Sequence, residues 1–266
     1  MGGDEPAPAE LDFHLRWRTS QPPLRLHPDV PAAVARLIAP GDDPVLLLGV
    51  TPELAAITPC IVAVDWNQTM IDMVWPGDGD GKRALLGDWR SMPLADASMT
   101  AAIGDGCFTM LSYPDDAVLL IEQLRRVLKP GARAVIRCFA TPEEGDTVAA
   151  VREAALAGSL AFHAFKLRFN QAVTLESGRM SITSDDLFRR FETEFPDREA
   201  LSRAAGWSLD LIGEIDAYRG AGSIHSYPSR TKLLEVVPRD MSGATFASSG
   251  TYTLAERCPL FVLDFP

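Results

Sequence analysis

Three acidic residues each follow an apolar run directly or within two positions: Asp65 in IVAVDW, Asp88 in ALLGDW and Asp105 in AAIGDG. A carboxylate accepts hydrogen bonds only, and one carboxylate can take two at once. At successive strand ends of an open sheet such groups line the binding edge, where they can receive the hydroxyls of a ribose and the amino group of a base. The alternative for each is a helix cap or turn former. That alternative weighs equally for Asp105 and less for Asp65, because Asn67 already supplies a cap to the helix that follows.

Imidazoles are the other groups with useful chemistry at neutral pH. His163 stands in AFHAFKLRF, where helical spacing puts Phe162, Phe165 and Phe169 on one flank, so packing in a core or lid outweighs catalysis there, and Phe162 and His163 are weak candidates for contact with a substrate. His225 and Tyr227, in SIHSYPSR, fall in a predicted loop and are weak candidates for contact with a substrate. No residue is singled out as catalytic. Cys60, Cys107, Cys138 and Cys258 are far apart and form neither a CxxC pair nor a zinc-spaced cluster, so buried free thiols and no metal are expected.

The elements that must position these groups follow from hydrophobic pattern. Apolar runs at Val45 to Leu48, Ile61 to Val64, Ala84 to Leu86, Met99 to Ile103 and Ala134 to Phe139 lack polar alternation, which suits strands covered on both faces. Helical segments lie between them: one capped by Asn67, and one from Pro114 to Lys129 stopped by Pro130 and Gly131. Thr51, Pro52 and Glu53 read as a helix start with a hydroxyl cap. Thr141, Pro142 and Glu144 read as another, and Asp197 opens a short helix ending at Gly206. Phe246 to Phe265 returns to β-prone residues. The expected fold is a doubly wound, mostly parallel α/β sheet with helices on both faces, a closing antiparallel strand pair and a helical cap insertion. Its expected parts are an N-terminal arm (1–40), a Rossmann-like core (41–140), a mainly helical cap or substrate region (141–240) and C-terminal strands completing the sheet (241–266).

Of 266 residues, 25 are basic and 36 acidic, a net charge of −11. A phosphate backbone is repelled on average, and no basic stripe offsets this, because Arg189, Arg190, Arg198 and Arg203 are interleaved with acids. Nucleic acid is therefore not an expected partner. No apolar run is long enough for a bilayer, and MGGDEPAPAE has no signal-peptide character, which predicts a cytoplasmic protein without membrane association.

The segments VLLLGVTPEL, IVAVDWNQTMI, ALLGDWRSMPLADASMTAAIGDG and RRVLKPGARAVI resemble, in order and spacing, successive motifs of class I S-adenosylmethionine-dependent methyltransferases across roughly residues 44–139. The resemblance implies S-adenosylmethionine as cofactor. It implies that Gly49, with Val50 and Thr51, makes the close backbone approach, that Asp65 accepts the ribose diol and that Trp66 lies against adenine. Asp88 would meet the adenine amino group with Trp89 adjacent, and Asp105 with Gly106 would line the mouth where cofactor and acceptor meet. The glycine motif is degenerate: Leu47, Thr51 and Glu53 stand where the family has an acid and two further glycines. Leu47 cannot pair with a methionyl ammonium, and Thr51 brings a Cβ to a turn that is normally bare backbone.

The leading expectation is methylation of a small molecule beneath the cap, with Phe162, Phe165 and Trp207 as its apolar lining. The alternative is a related protein that binds the cofactor or a related nucleoside without turnover. A nicotinamide-dependent dehydrogenase ranks below both, because GVTPEL offers no GxGxxG pyrophosphate cradle.

Overall fold

Apolar runs without alternation become strands whose two faces are both covered, as the computed structural model, which describes residues 13–266, shows. In chain order the strands are β1 (Val45–Leu48), β2 (Ile61–Asp65), β3 (Lys82–Leu86), β4 (Met99–Asp105), β5 (Leu128–Arg137), β6 (Ser181–Thr183), β7 (Ile224–Ser226), β8 (Gly243–Ala247) and β9 (Leu260–Asp264). The helices are α1 (Phe13–Thr19), α2 (Asp29–Ile38), α3 (Pro52–Ala55), α4 (Gln68–Val74), α5 (Asp115–Val127), α6 (Val148–Leu156), α7 (Phe162–Glu176), α8 (Ser184–Glu194), α9 (Arg198–Ala205), α10 (Leu209–Gly213) and α11 (Arg230–Glu235). MGGDEPAPAE and the start of the expected arm lie outside the described residues.

Seven strands form one sheet in the order β3-β2-β1-β4-β5-β9-β8. β1 to β5 pair in parallel, and β9 runs antiparallel to both β5 and β8. Successive residues of a strand point to opposite faces, and both sets are buried. Leu46, Leu48, Val62, Val64 and Ala102 pack with the apolar stripe of α5, whereas Val45, Leu47, Ile61, Ala63 and Ile103 pack with α2 and α4. The chain winds outward from β1 to β3, then returns to lay β4 on the other side of β1, so β1 and β4 flank the switch point where ligand crevices open.

Between β5 and β8, residues from Val148 to Ile215 build an aromatic core of their own, and the segment between the two strands that carries this core is called the cap. Phe165 packs its ring 5.5 Å from Phe195 and 4.9 Å from Trp207, centroid to centroid. The cap also holds a short antiparallel pair, β6 with β7, which helical patterning did not foresee. Among the described residues no helix is long and apolar enough to cross a membrane.

Several local expectations need correction. α5 ends at Val127, before Pro130 and Gly131, because Leu128 already pairs with Met99 in the sheet; the two residues sit within an irregular start to β5. Thr141 opens no helix. Its hydroxyl donates to the Tyr227 carbonyl at 2.7 Å, and α6 begins after Thr147, whose side chain accepts the Ala150 amide. Thr51 precedes α3 without a capping hydrogen bond, so Pro52 at the first helical position starts that helix, and Glu53 pairs with Arg25 instead. His225 is in β7 rather than a loop, with Tyr227 directly after it.

Candidate functional site

Sheet register brings the first group of residues together. Leu48 is opposite Val64 on one side and Gly104 on the other, so the residues that follow, Gly49, Asp65 and Asp105, leave the sheet side by side. All three line one cavity at the carboxyl edge, together with Val50, Thr51 and Gly106.

Gly49 turns with φ +88°, a conformation that disfavours any side chain, while its N–H donates to the Val64 carbonyl at 2.8 Å. A Cβ there would stand 3.7 Å from Asp65 Oδ2 and 3.9 Å from the Trp89 ring. Backbone, carboxylate and indole edge thus face a common space left open by the missing side chain. Asp65 is buried, and its Oδ1 accepts the Asn67 amide at 2.8 Å. Burial pushes its carboxyl up to about 7, a rise that the Asn67 N–H opposes. Asn67 in turn caps α4 through the Met70 amide, as expected.

Trp66 is 42% exposed and lies on the cavity wall, and Trp89 is buried there with its indole N–H donated to the Val64 carbonyl at 2.7 Å. Asp88 is placed differently from the expectation. It does not line the cavity, and Arg90 holds its carboxylate at 3.0 Å through Nε and 2.6 Å through Nη2. That pairing keeps its carboxyl below the usual range. β3 is the edge strand, and two residues beyond it the chain has already turned to the surface, where the nearest cation takes the acid.

Asp105 does line the cavity, but fully buried Arg137 grips it, Nε to Oδ1 at 2.6 Å and Nη2 to Oδ2 at 3.0 Å. Burial works against the Arg137 charge, yet the Asp105 carboxylate more than compensates and holds it above its ordinary value. Arg137 also donates to the Pro23 carbonyl at 2.9 Å, tying the N-terminal segment to the sheet edge. Sequence reasoning missed it; the available signal was a lone cation ending the apolar run AVI.

The opposite wall comes from the cap and from Trp17, Ser20 and Leu24 of the N-terminal segment. His225 and Tyr227 reach it: His225 Nε2 lies 2.8 Å from Ser184 Oγ, and the Tyr227 hydroxyl accepts from Asn170 Nδ2 at 3.1 Å. Phe162 and His163 do not line the cavity, nor do Phe165 and Trp207. α7 is buried around most of its circumference, so its aromatic flank enters the cap's own core and His163 faces Glu214. The flank bearing Lys166 and Asn170, one helical turn apart, is the one that meets the cavity. That polar pair inside a buried helix was the signal for it.

Among the described residues no group of three or more histidine, cysteine or acidic side chains is placed to hold a metal ion. Cys107, Cys138 and Cys258 are free and buried, and burial raises all three thiols well above their ordinary range; Cys60 is free and partly buried.

Residues 49–136 match a family model described as a methyltransferase domain. Comparison with curated proteins gives no sequence match. Among solved structures, the fold is similar to an S-adenosylmethionine-dependent methyltransferase from Methanosarcina mazei, with 14% identity and a TM-score of 0.50 over 90% of this chain and 96% of that one. It is similar to a Haloferax volcanii chain provisionally named a methyltransferase, solved in complex with the Trm112 methyltransferase activator (14% identity, TM-score 0.54, 97% and 95% covered). A Rhodobacter sphaeroides structure provisionally named a zinc-dependent alcohol dehydrogenase is also similar (10% identity, TM-score 0.55, 97% of each chain). At these identities the likenesses establish fold alone.

Proposed function

We propose that the chain, whose residues 49–136 match a methyltransferase domain, is a class I S-adenosylmethionine-dependent methyltransferase that methylates a small organic acceptor held between the sheet edge and the cap. The observation that carries this reading is the facing pair of walls: bare Gly49 backbone beside the Asp65 carboxylate on one side, cap side chains on the other. When bound, the cofactor supplies a methyl group on a sulfonium centre, open to in-line displacement.

Asp65 accepts the ribose hydroxyls in this proposal, Trp66 lies against the adenine and Gly49 with Val50 and Thr51 carries the close backbone approach. The Asp88 carboxylate, committed to Arg90, is assigned no contact with adenine. Gly106, beside the Arg137-clamped Asp105, forms the mouth. A roofed cavity excludes bulk water and holds donor and acceptor in line, which can supply much of the rate without a dedicated catalytic side chain. For a hydroxyl or ammonium acceptor, His225, on the cavity wall and paired with Ser184, is the imidazole assigned to take the proton in this proposal. A cavity in a chain of net charge −11 without a basic stripe suits a small molecule better than a nucleic acid.

Binding without turnover is the second reading. Its support is Leu47, which is fully buried in the apolar layer with α2 and α4 and so leaves the family's acid position without a carboxylate. Calorimetric titration with S-adenosylmethionine, S-adenosylhomocysteine and NAD tests the cofactor. A ligand at 100 times its dissociation constant adds about 2.7 kcal/mol of stability, and the two sulfur nucleosides are expected to do so while NAD does not. Transfer of labelled methyl from S-adenosylmethionine to any member of a small-molecule acceptor panel decides for turnover; binding without transfer to any of them favours the second reading.

A further inference from the structure

Among the described residues, Lys166 is the one lysine or arginine that lines the cavity, and it is only 6% exposed. Its Nζ lies 4.0 Å from Glu214 Oε2 and 5.0 Å from the centroid of the Tyr218 ring. Among the described residues it makes no hydrogen bond to any side chain or carbonyl. Glu214 Oε1 accepts the Thr19 hydroxyl at 3.1 Å, while its Oε2, which makes no hydrogen bond among the described residues, lies 3.5 Å from His163 Nε2 and faces Lys166 as a counter-charge. An ammonium has three donors, and those of Lys166 that no protein acceptor fills are left to the cavity it lines. Glu214 therefore offsets charge without satisfying the donors.

We propose that Lys166 anchors an anionic group, a carboxylate in its simplest form, on the methyl acceptor. The inference rests on the reading of this cavity as a methyl-transfer site. The helix places the group by period: Phe162, Phe165 and Phe169 occupy the flank sunk in the cap core, which turns Lys166 and Asn170 toward the cavity. Tyr218 lies next to the ammonium, and the rings of His225 and Tyr227 line the same cavity. These two stand nearly parallel, with centroids 6.4 Å apart, and Tyr218 lies beside His225 at 5.3 Å. A cation on a largely buried side chain attracts an anion more strongly than a fully solvated surface lysine does. The rings suit a flat or slender organic body carrying that anion. The cofactor's own carboxylate shares this chemistry, but Gly49 and Asp65 are on the sheet wall and Lys166 is on the cap.

The test uses the full chain in calorimetric titrations. S-adenosylhomocysteine is titrated first into wild type and Lys166→Met. With that ligand saturating, benzoate is then compared with benzamide, and hexanoate with hexanamide. Wild type is expected to bind the acid at least tenfold more tightly than the amide in one pair or both. Lys166→Met brings acid and amide within twofold while its affinity for S-adenosylhomocysteine changes less than twofold, and Lys166→Arg keeps part of the preference. Absence of an acid preference in wild type in both pairs overturns the anchor and needs no variant to fold. A tenfold loss of S-adenosylhomocysteine affinity in Lys166→Met also overturns it, by assigning the ammonium to the cofactor's carboxylate. If wild type does not bind S-adenosylhomocysteine at all, the methyl-transfer reading itself fails and the anchor falls with it.

Discussion

The two walls of the cavity are held in place by different forces. On the sheet wall, Gly49, Asp65 and Asp105 stand at the ends of three adjacent strands, and backbone ladder hydrogen bonds fix their relative positions. On the cap wall, Lys166, Asn170, Ser184 and His225 come from two helices and a short strand, and what orients them is the aromatic core beneath. Damage to side-chain packing should therefore reach the cap wall first. The sheet wall should yield only to changes that disturb the strands themselves or the carboxylates at their ends.

The largest expected effect is on the sheet. Leu47→Asp places a carboxylate in a dry layer of leucine, valine and isoleucine, and should cost at least about 3 kcal/mol, with no gain in affinity for S-adenosylmethionine. Urea denaturation measures the first and calorimetry the second. An unchanged urea midpoint with tenfold tighter binding would show that position 47 faces the cavity, and the account of the sheet wall would have to be redrawn.

Next comes the cap. Phe165→Ala removes a fully buried ring at the centre of the aromatic cluster and is expected to cost about 3 to 4 kcal/mol. Affinity for S-adenosylhomocysteine should nevertheless stay within twofold of wild type under conditions where the variant is folded. A parallel tenfold loss of that affinity would mean that the two walls act as one unit.

Within the sheet wall, Asp65→Ala should weaken S-adenosylhomocysteine binding by roughly 10- to 100-fold, the scale of losing a charged hydrogen-bond acceptor. Asp88→Ala should change it less than twofold, because Arg90 already occupies that carboxylate. Titration of both variants compares them directly. Equal losses would return Asp88 to the site.

The last expected effect is a dependence on pH. Burial lifts the Asp65 carboxyl to about 7 in the folded chain, against an ordinary value of about 3.9 when unfolded. Between those values the folded state holds more protons than the unfolded one, so this group's contribution to stability falls as pH rises through that window. Asp65→Asn should flatten that part of the slope between pH 5 and 8 in unliganded protein. Ribose hydroxyls donate best to the ionised carboxylate, so wild-type affinity for S-adenosylhomocysteine should increase as pH passes about 7 and that of Asp65→Asn should not. Identical pH profiles for the two proteins would place Asp65 away from the ligand.

Local pattern was enough to place the parallel strands, the Asn67 cap, the closing antiparallel pair and the edge carrying Gly49, Asp65 and Asp105. A strand's side chains alternate strictly and a parallel sheet aligns its strand ends, so a one-dimensional pattern already carries that geometry. Only the tertiary structure decided which of the three acids stays available. Asp88 is lost to Arg90 and Asp105 to Arg137, through contacts 2 and 32 residues apart in sequence, whereas Asp65 keeps one oxygen toward Gly49. The cap was least legible. A helix buried nearly all round, such as α7, has no single apolar face to announce its orientation. Which flank meets the cavity was settled by Phe191, Phe195 and Trp207, distant in sequence, closing over Phe165 and leaving Lys166 on the other side.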